Sequence, residues 1–136
     1  MHLVYAQGAS IHKLPFDKAE EDARNKTIYT RIVYIPGQTA VGLSYDCREQ
    51  YVYWSDISAR QIKKVRLDGS DFSVVLDDVK SPEGLAVDWL SRNIYFTDSE
   101  SRTIEVASLN GKKHRKVLIR SNLQNPRGIA VDPIDG

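Results

Sequence analysis

An all-β fold of repeated four-stranded units is predicted by three observations. Tyr53-Trp54-Ser55-Asp56 recurs 42 residues later as Tyr95-Phe96-Thr97-Asp98. A second motif, Gly42-Leu43-Ser44-Tyr45-Asp46, returns as Gly84-Leu85-Ala86-Val87-Asp88 and Gly128-Ile129-Ala130-Val131-Asp132, at spacings of 42 and 44 residues. A third, Ile62 to Gly69, matches Ile104 to Gly111, again 42 residues on. Each unit closes on an apolar run, Val74-Val75-Leu76 or Val117-Leu118-Ile119. Four short strands per unit of this length is the arithmetic of a β-propeller blade.

The elements follow in chain order. Leu3-Val4-Tyr5-Ala6, Ile11 to Phe16 and Ile32-Val33-Tyr34 read as strands two to four of a unit without its first strand, so 1–39 is an incomplete blade and loop. The charged stretch Lys18 to Lys26 within it reads as a solvated loop. Residues 40–81 and 82–125 are complete blades, and 126–136 holds the first strand of a further one. In each first strand small residues alternate with large ones, Gly42/Ser44 against Leu43/Tyr45 and Gly84/Ala86 against Leu85/Val87. A consistently small face suits the innermost strand, where blades converge. The rings of Tyr53, Trp54, Tyr95 and Phe96 suit the wedge between blades. Asp56 and Asp98, at the ends of their strands, are placed to accept backbone N–H groups, which makes them scaffold rather than catalytic or calcium-binding carboxylates. Asp68-Gly69 and Asn110-Gly111 predict type I′ hairpin turns. The chain begins and ends inside blades, which leads us to expect a fragment of a longer propeller, unstable or self-associating as 136 residues alone.

Composition narrows the function. Nineteen Lys and Arg balance eighteen Asp and Glu, which excludes nucleic acid as the main partner on charge grounds. No apolar run is long enough for membrane insertion in this segment. The single Cys47 excludes an internal disulfide framework or multi-cysteine zinc site and reads as a buried thiol; a disulfide to residues outside the chain stays open. His2, His12 and His114 are scattered, so no metal, cofactor or catalytic residue is expected. Asn25-Lys26-Thr27 is a glycosylation sequon if the chain is secreted. The run Lys112 to Lys116 reads as a solvated hairpin, with a heparin-like polyanion patch as the alternative.

The pattern Tyr-Trp/Phe-Ser/Thr-Asp, with Pro-x-Gly-Leu/Ile-Ala-Val-Asp upstream, resembles the class B (YWTD) repeat of the low-density-lipoprotein receptor family. Both Ser81 to Asp88 and Asn125 to Asp132 match it at full length. WD repeats share the period, but they need adjacent Trp-Asp and a preceding Gly-His, neither of which occurs. The first unit carries Ala6-Gln7-Gly8 where aromatic-Thr-Asp is expected. Leu3 to Gly8 followed by Leu14-Pro15, and Tyr45-Asp46-Cys47-Arg48-Glu49 leading into Val52-Tyr53-Trp54, look most like the nidogen branch.

The resemblance implies a partial six-bladed, non-enzymatic propeller, extracellular and in basement membrane as part of a longer secreted protein. Its implied partner is an EGF-like module of the laminin γ chain or another extracellular protein. A ligand over one end of the axis would meet Glu83 and Arg127, with Ile57, Arg60, Ser99 and Glu100 from the turns after the Asp motif. An ion pair within the propeller, such as Glu83 with Arg127, is the competing account of these charges. Two other functions stand beside this one. The first is the propeller of an endocytic or Wnt co-receptor. The second is a lactonase-type hydrolase, disfavoured because its inner strands would need metal-binding carboxylates and Asn where this chain has Gly, Ser and Ala.

Overall fold

The computed structural model describes residues 2–15, 29–110 and 114–135. Asn25, the Lys18 to Lys26 stretch and Lys112-Lys113 lie outside the described residues. Eleven strands form among those described: β1 (His2–Gln7), β2 (Ser10–Pro15), β3 (Thr30–Tyr34), β4 (Ala40–Asp46), β5 (Tyr51–Asp56), β6 (Gln61–Arg66), β7 (Ser73–Leu76), β8 (Pro82–Asp88), β9 (Asn93–Asp98), β10 (Thr103–Ser108) and β11 (Arg115–Ile119). They make three antiparallel meanders, β1-β2-β3, β4-β5-β6-β7 and β8-β9-β10-β11.

The sheets stack through two apolar clusters because successive side chains along a strand face opposite ways. On β5, Val52 and Trp54 turn toward the first sheet and pack with Ile11 and Ile32. Tyr51 and Tyr53 turn toward the third sheet, against Leu85, Val87, Ile94 and Phe96. Trp54 and Phe96 are fully buried, each contributing about 2–3 kcal/mol on area grounds. The Trp54 indole also donates to Gln38 Oε1 at 3.1 Å, so its polar edge is satisfied.

The inner strands β4 and β8 touch directly, and small residues make that approach possible. A Cβ on Gly42 would stand 2.6 Å from the Glu83 carbonyl oxygen, closer than real contacts permit. Ser44 Oγ accepts the Val87 N–H at 3.0 Å, so even the small polar residue on this face ties two sheets together.

Four expectations are corrected. First, Asp68-Gly69 is not a type I′ turn: Gly69 has φ +89° but Asp68 lies outside the left-handed region. Asp68 Oδ1 accepts the Ser70 N–H at 2.9 Å, so the side chain builds the turn instead of the backbone. Second, the counterpart of the aromatic-Ser/Thr-Asp motif in the first sheet is Tyr5-Ala6-Gln7, one residue before the expected Ala6-Gln7-Gly8. Gln7 pairs with Ser10 at the hairpin end, as Asp56 pairs with Gln61 and Asp98 with Thr103. The connecting loop is shorter here, and Gly8 turns it with φ +57°. Third, Cys47 is exposed in the β4–β5 turn rather than buried. Fourth, residues 126–132 carry no strand ladder, since no strand among the described residues lies beside them to pair with. Arg127 lies against Gly84 of β8, and Thr97 Oγ1 of β9 donates to its carbonyl at 2.7 Å.

Candidate functional site

The six residues singled out for ligand contact gather at one end of the sheets. Pairing of Pro82 with Asp98 sets the start of β8 beside the end of β9, which brings Glu83 next to the β9–β10 turn. Ile57 and Arg60 occupy the equivalent β5–β6 turn, and Ser99 and Glu100 the β9–β10 turn.

Both turns are built by the motif aspartates. Asp56 Oδ1 accepts the N–H groups of Thr39, Ser58 and Ala59 at 3.0–3.1 Å, and Oδ2 meets the Lys63 ammonium at 2.6 Å. Burial alone would raise the Asp56 carboxyl, but Lys63 and these backbone donors outweigh it and hold it below its ordinary value. Asp98 accepts from Lys80, Ser81 and Ser101 at 2.8–3.2 Å. Its burial likewise pushes upward, and the backbone donors win. Both carboxylates are buried and saturated with protein donors, which gives them a scaffolding role. The turns end on Arg60 and Arg102 in the left-handed region, with φ +57° and +55°.

The charged rim is already paired. Glu83 Oε1 accepts from Ser99 Oγ at 2.8 Å, and Glu83 Oε2 meets Arg127 Nε at 3.1 Å. Arg60 and Glu100 approach to 3.8 Å between neighbouring sheets. The Arg127 side chain is 75% exposed and that of Arg60 61%, so solvent screens both pairs and each costs little to separate. Ile57 is half-buried beside them.

Sequence reasoning missed three charged residues. Lys63 is buried against Asp56. Arg92 reaches Asp46 of the preceding sheet at 2.6 Å. Arg115, read as part of an exposed basic run, is held by Glu105 at 2.7 Å and Asp78 at 2.5 Å, which removes it from any polyanion patch. Strand alternation was the available signal for Lys63, since it pairs with Trp54 on the buried face. Among the described residues no group of three His, Cys, Asp or Glu side chains is placed to hold a metal.

Four-stranded antiparallel meanders stacked face to face, with small-residue inner strands in contact, are blades of a β-propeller, and the chain is part of one. The low-density lipoprotein receptor repeat class B family matches residues 50–89 and 92–133, and the chain belongs to it. It is 43% identical to nidogen of Drosophila melanogaster over 90% of this chain and 8% of that protein. It is 42% identical to low-density lipoprotein receptor-related protein 5 of Mus musculus over 85% of this chain and 7% of that one, and 41% identical to Mus musculus nidogen-2 over 88% and 8%. A solved chain described as the crystal structure of a nidogen/laminin complex superposes with a TM-score of 0.87 at 39% identity, over 99% of this chain and 50% of that one. The chain therefore spans a small part of the curated relatives and half of the solved chain.

Proposed function

We propose that this chain is part of a non-enzymatic, extracellular protein-binding module of a nidogen-like basement-membrane protein. Its ligand is an EGF-like module of the laminin γ chain, received over the propeller end that carries Glu83, Ser99 and Arg127. The observation that carries this reading is the close superposition on a chain from a nidogen/laminin complex. The chemistry of the rim supports it. Arg127 and Arg60 offer guanidinium groups suited to bidentate contact with a carboxylate. Glu83, with one oxygen held by Ser99, presents a preorganised acceptor for an amide N–H. Ile57 and Glu100 complete a mixed apolar and polar margin suited to a short loop.

A receptor propeller is the second reading, favoured by the 42% identity to low-density lipoprotein receptor-related protein 5. Titration of the purified chain, and of the longest product of its gene, against immobilised laminin γ-chain EGF-like modules tests the first reading. Saturable binding supports it. No binding by either protein overturns it in favour of the receptor, for which the full gene product would carry a transmembrane segment.

A further inference from the structure

The two junctions between neighbouring sheets are built on one plan, yet one is closed and the other open. At each, a five-residue link crosses from the outer strand of one sheet to the inner strand of the next, residues 35–39 after β3 and 77–81 after β7. Thr39 and Ser81 hold the same place in these links. Each donates its N–H to the motif aspartate, at 3.1 and 3.2 Å, and each carbonyl accepts the N–H of Ile57 or Ser99. Counting back, Gln38 stands with Lys80, Gly37 with Val79 and Pro36 with Asp78.

Three groups close the junction of the second and third sheets. Val79 is buried in the apolar cluster between them. Arg115 spans Glu105 at 2.7 Å and Asp78 at 2.5 Å, over the Phe96 ring. Arg60 reaches forward from the turn of the second sheet to Glu100, at 3.8 Å. The junction of the first and second sheets has none of the three. Gly37, at φ +78°, stands for Val79, with nothing within 4 Å of a Cβ built on it. Pro36 stands for Asp78, and Phe72, beside the Trp54 ring, for Arg115. The short β1–β2 turn offers Gly8 and Ala9 in place of segment 57–60, and Ser58 takes the place of Glu100. A cavity of about 300 Å³ lies there, between the 35–38 link and the turn after Asp56.

Its floor is the Asp56–Lys63 pair, 2.6 Å apart, with the Lys63 side chain 6% exposed. Both Asp56 oxygens are taken, whereas the Lys63 ammonium has three N–H donors and one hydrogen-bond partner among the described residues, Asp56. Both ends of the Gln38 amide are engaged, with the Ala9 carbonyl at 2.8 Å and with Trp54. The Ser58 hydroxyl at the lip is bonded to that of Thr39 at 2.6 Å. What the cavity can still satisfy is one oxygen acceptor at its floor. That acceptor is uncharged, because a carboxylate there faces Asp56 and a cation faces Lys63. Ile35, Pro36 and Ala59 give apolar walls for the stem that carries it.

Building on the function proposed above, we infer that this cavity is a second subsite for the protein ligand of the rim, taking one side chain that ends in a hydroxyl or amide oxygen. One turn serves both places: Ile57 and Arg60 belong to the proposed rim, while Ser58 and Ala59 line the cavity. Its volume is at the small end for ligand pockets and suits one side chain of a docked loop.

Binding of the longest product of the gene to immobilised laminin γ-chain EGF-like modules tests the subsite. Ala59→Phe fills the cavity with a ring and is expected to weaken binding about 10-fold, the loss of one well-packed contact. Lys80→Phe sets the same ring at an exposed position of the closed junction and is expected to leave affinity unchanged. Circular dichroism reports whether each variant folds. Hydrogen exchange on the unmodified protein needs no variant: the bound module is expected to slow residues 35–38 and leave 77–80 as they were. Full affinity in folded Ala59→Phe, equal losses in both variants, or no slowing at 35–38 overturns the subsite and leaves the rim function standing. No binding by the unmodified protein overturns both.

Discussion

Arg92 Nη1 lies 2.6 Å from Asp46 Oδ2, joining the turn before β9 to the end of β4 in the neighbouring sheet. Asp46 is fully buried and the Arg92 side chain 14% exposed, so the pair is largely withdrawn from water. Removing one partner leaves a buried charge, which costs more than the pair itself contributes. Arg92→Ala is expected to lower stability by about 3 kcal/mol, read from urea unfolding. A loss below about 0.5 kcal/mol would show the pair to be dispensable.

The two motif aspartates make stability fall in acid. Both carboxyls sit below the ordinary value of 3.8 in the folded chain. As pH drops, the unfolded chain takes up these protons first, so their stabilisation is complete above about pH 4 and is lost as pH falls through the folded values. Thermal melts between about pH 6 and pH 2.5 should show the midpoint falling most steeply at the acid end. Asp98→Asn should flatten that dependence while lowering the midpoint at neutral pH.

The inner-strand glycines are expected to differ in their response to alanine. At Gly42 the new methyl meets the Glu83 carbonyl, which belongs to a strand locked in a four-stranded sheet. At Gly84 it meets the Arg127 carbonyl at 1.7 Å, in a segment with no ladder of its own. Gly42→Ala should cost about 2–3 kcal/mol by overpacking. Gly84→Ala should displace residues 126–132 at about half that cost. Hydrogen exchange separates the two, with faster exchange confined to the C-terminal segment in Gly84→Ala.

Tyr53 is buried, and its hydroxyl has no hydrogen-bond partner among the described residues. Burial, reinforced by the charge of Asp46, pushes the phenol above its usual range. Tyr53→Phe removes a desolvated polar atom and keeps the ring, so it should be neutral or stabilise by about 1 kcal/mol. A loss of more than about 1 kcal/mol in chemical denaturation would mean that the hydroxyl is satisfied in solution.

On the proposed rim, Arg127→Ala should weaken laminin-module binding about 10-fold or more, the worth of a charge-assisted hydrogen bond. Its side chain is 75% exposed, so the melting midpoint should barely move. Unchanged affinity in a folded variant would assign Arg127 to the Glu83 ion pair alone.

Most of the fold was legible in the sequence because repetition amplifies weak local signals. One strand such as Tyr51 to Asp56 is ambiguous, but its recurrence as Asn93 to Asp98 in the same surroundings is not. The six proposed rim positions came from the family resemblance, Glu83 and Arg127 following the prolines before the inner strands and the other four following the motif aspartates. Their pairing was not legible, because Arg127 reaches Glu83 across 44 residues of chain and Arg60 reaches Glu100 across 40.

By itself the amino-acid sequence determined the all-β class, the four-strand unit and the small-faced inner strands. Each of these follows from period-two alternation and turn chemistry, which act over a few residues. Only the tertiary structure decided which charges are buried, where the first sheet's motif stands, and that Arg127 lies against Gly84 of β8. Burial of Lys63 and pairing of Arg92 depend on what the neighbouring sheet brings. A strand exists only where another strand accepts its hydrogen bonds, and the inner-strand sequence at Gly128 to Asp132 specifies half of such a pair.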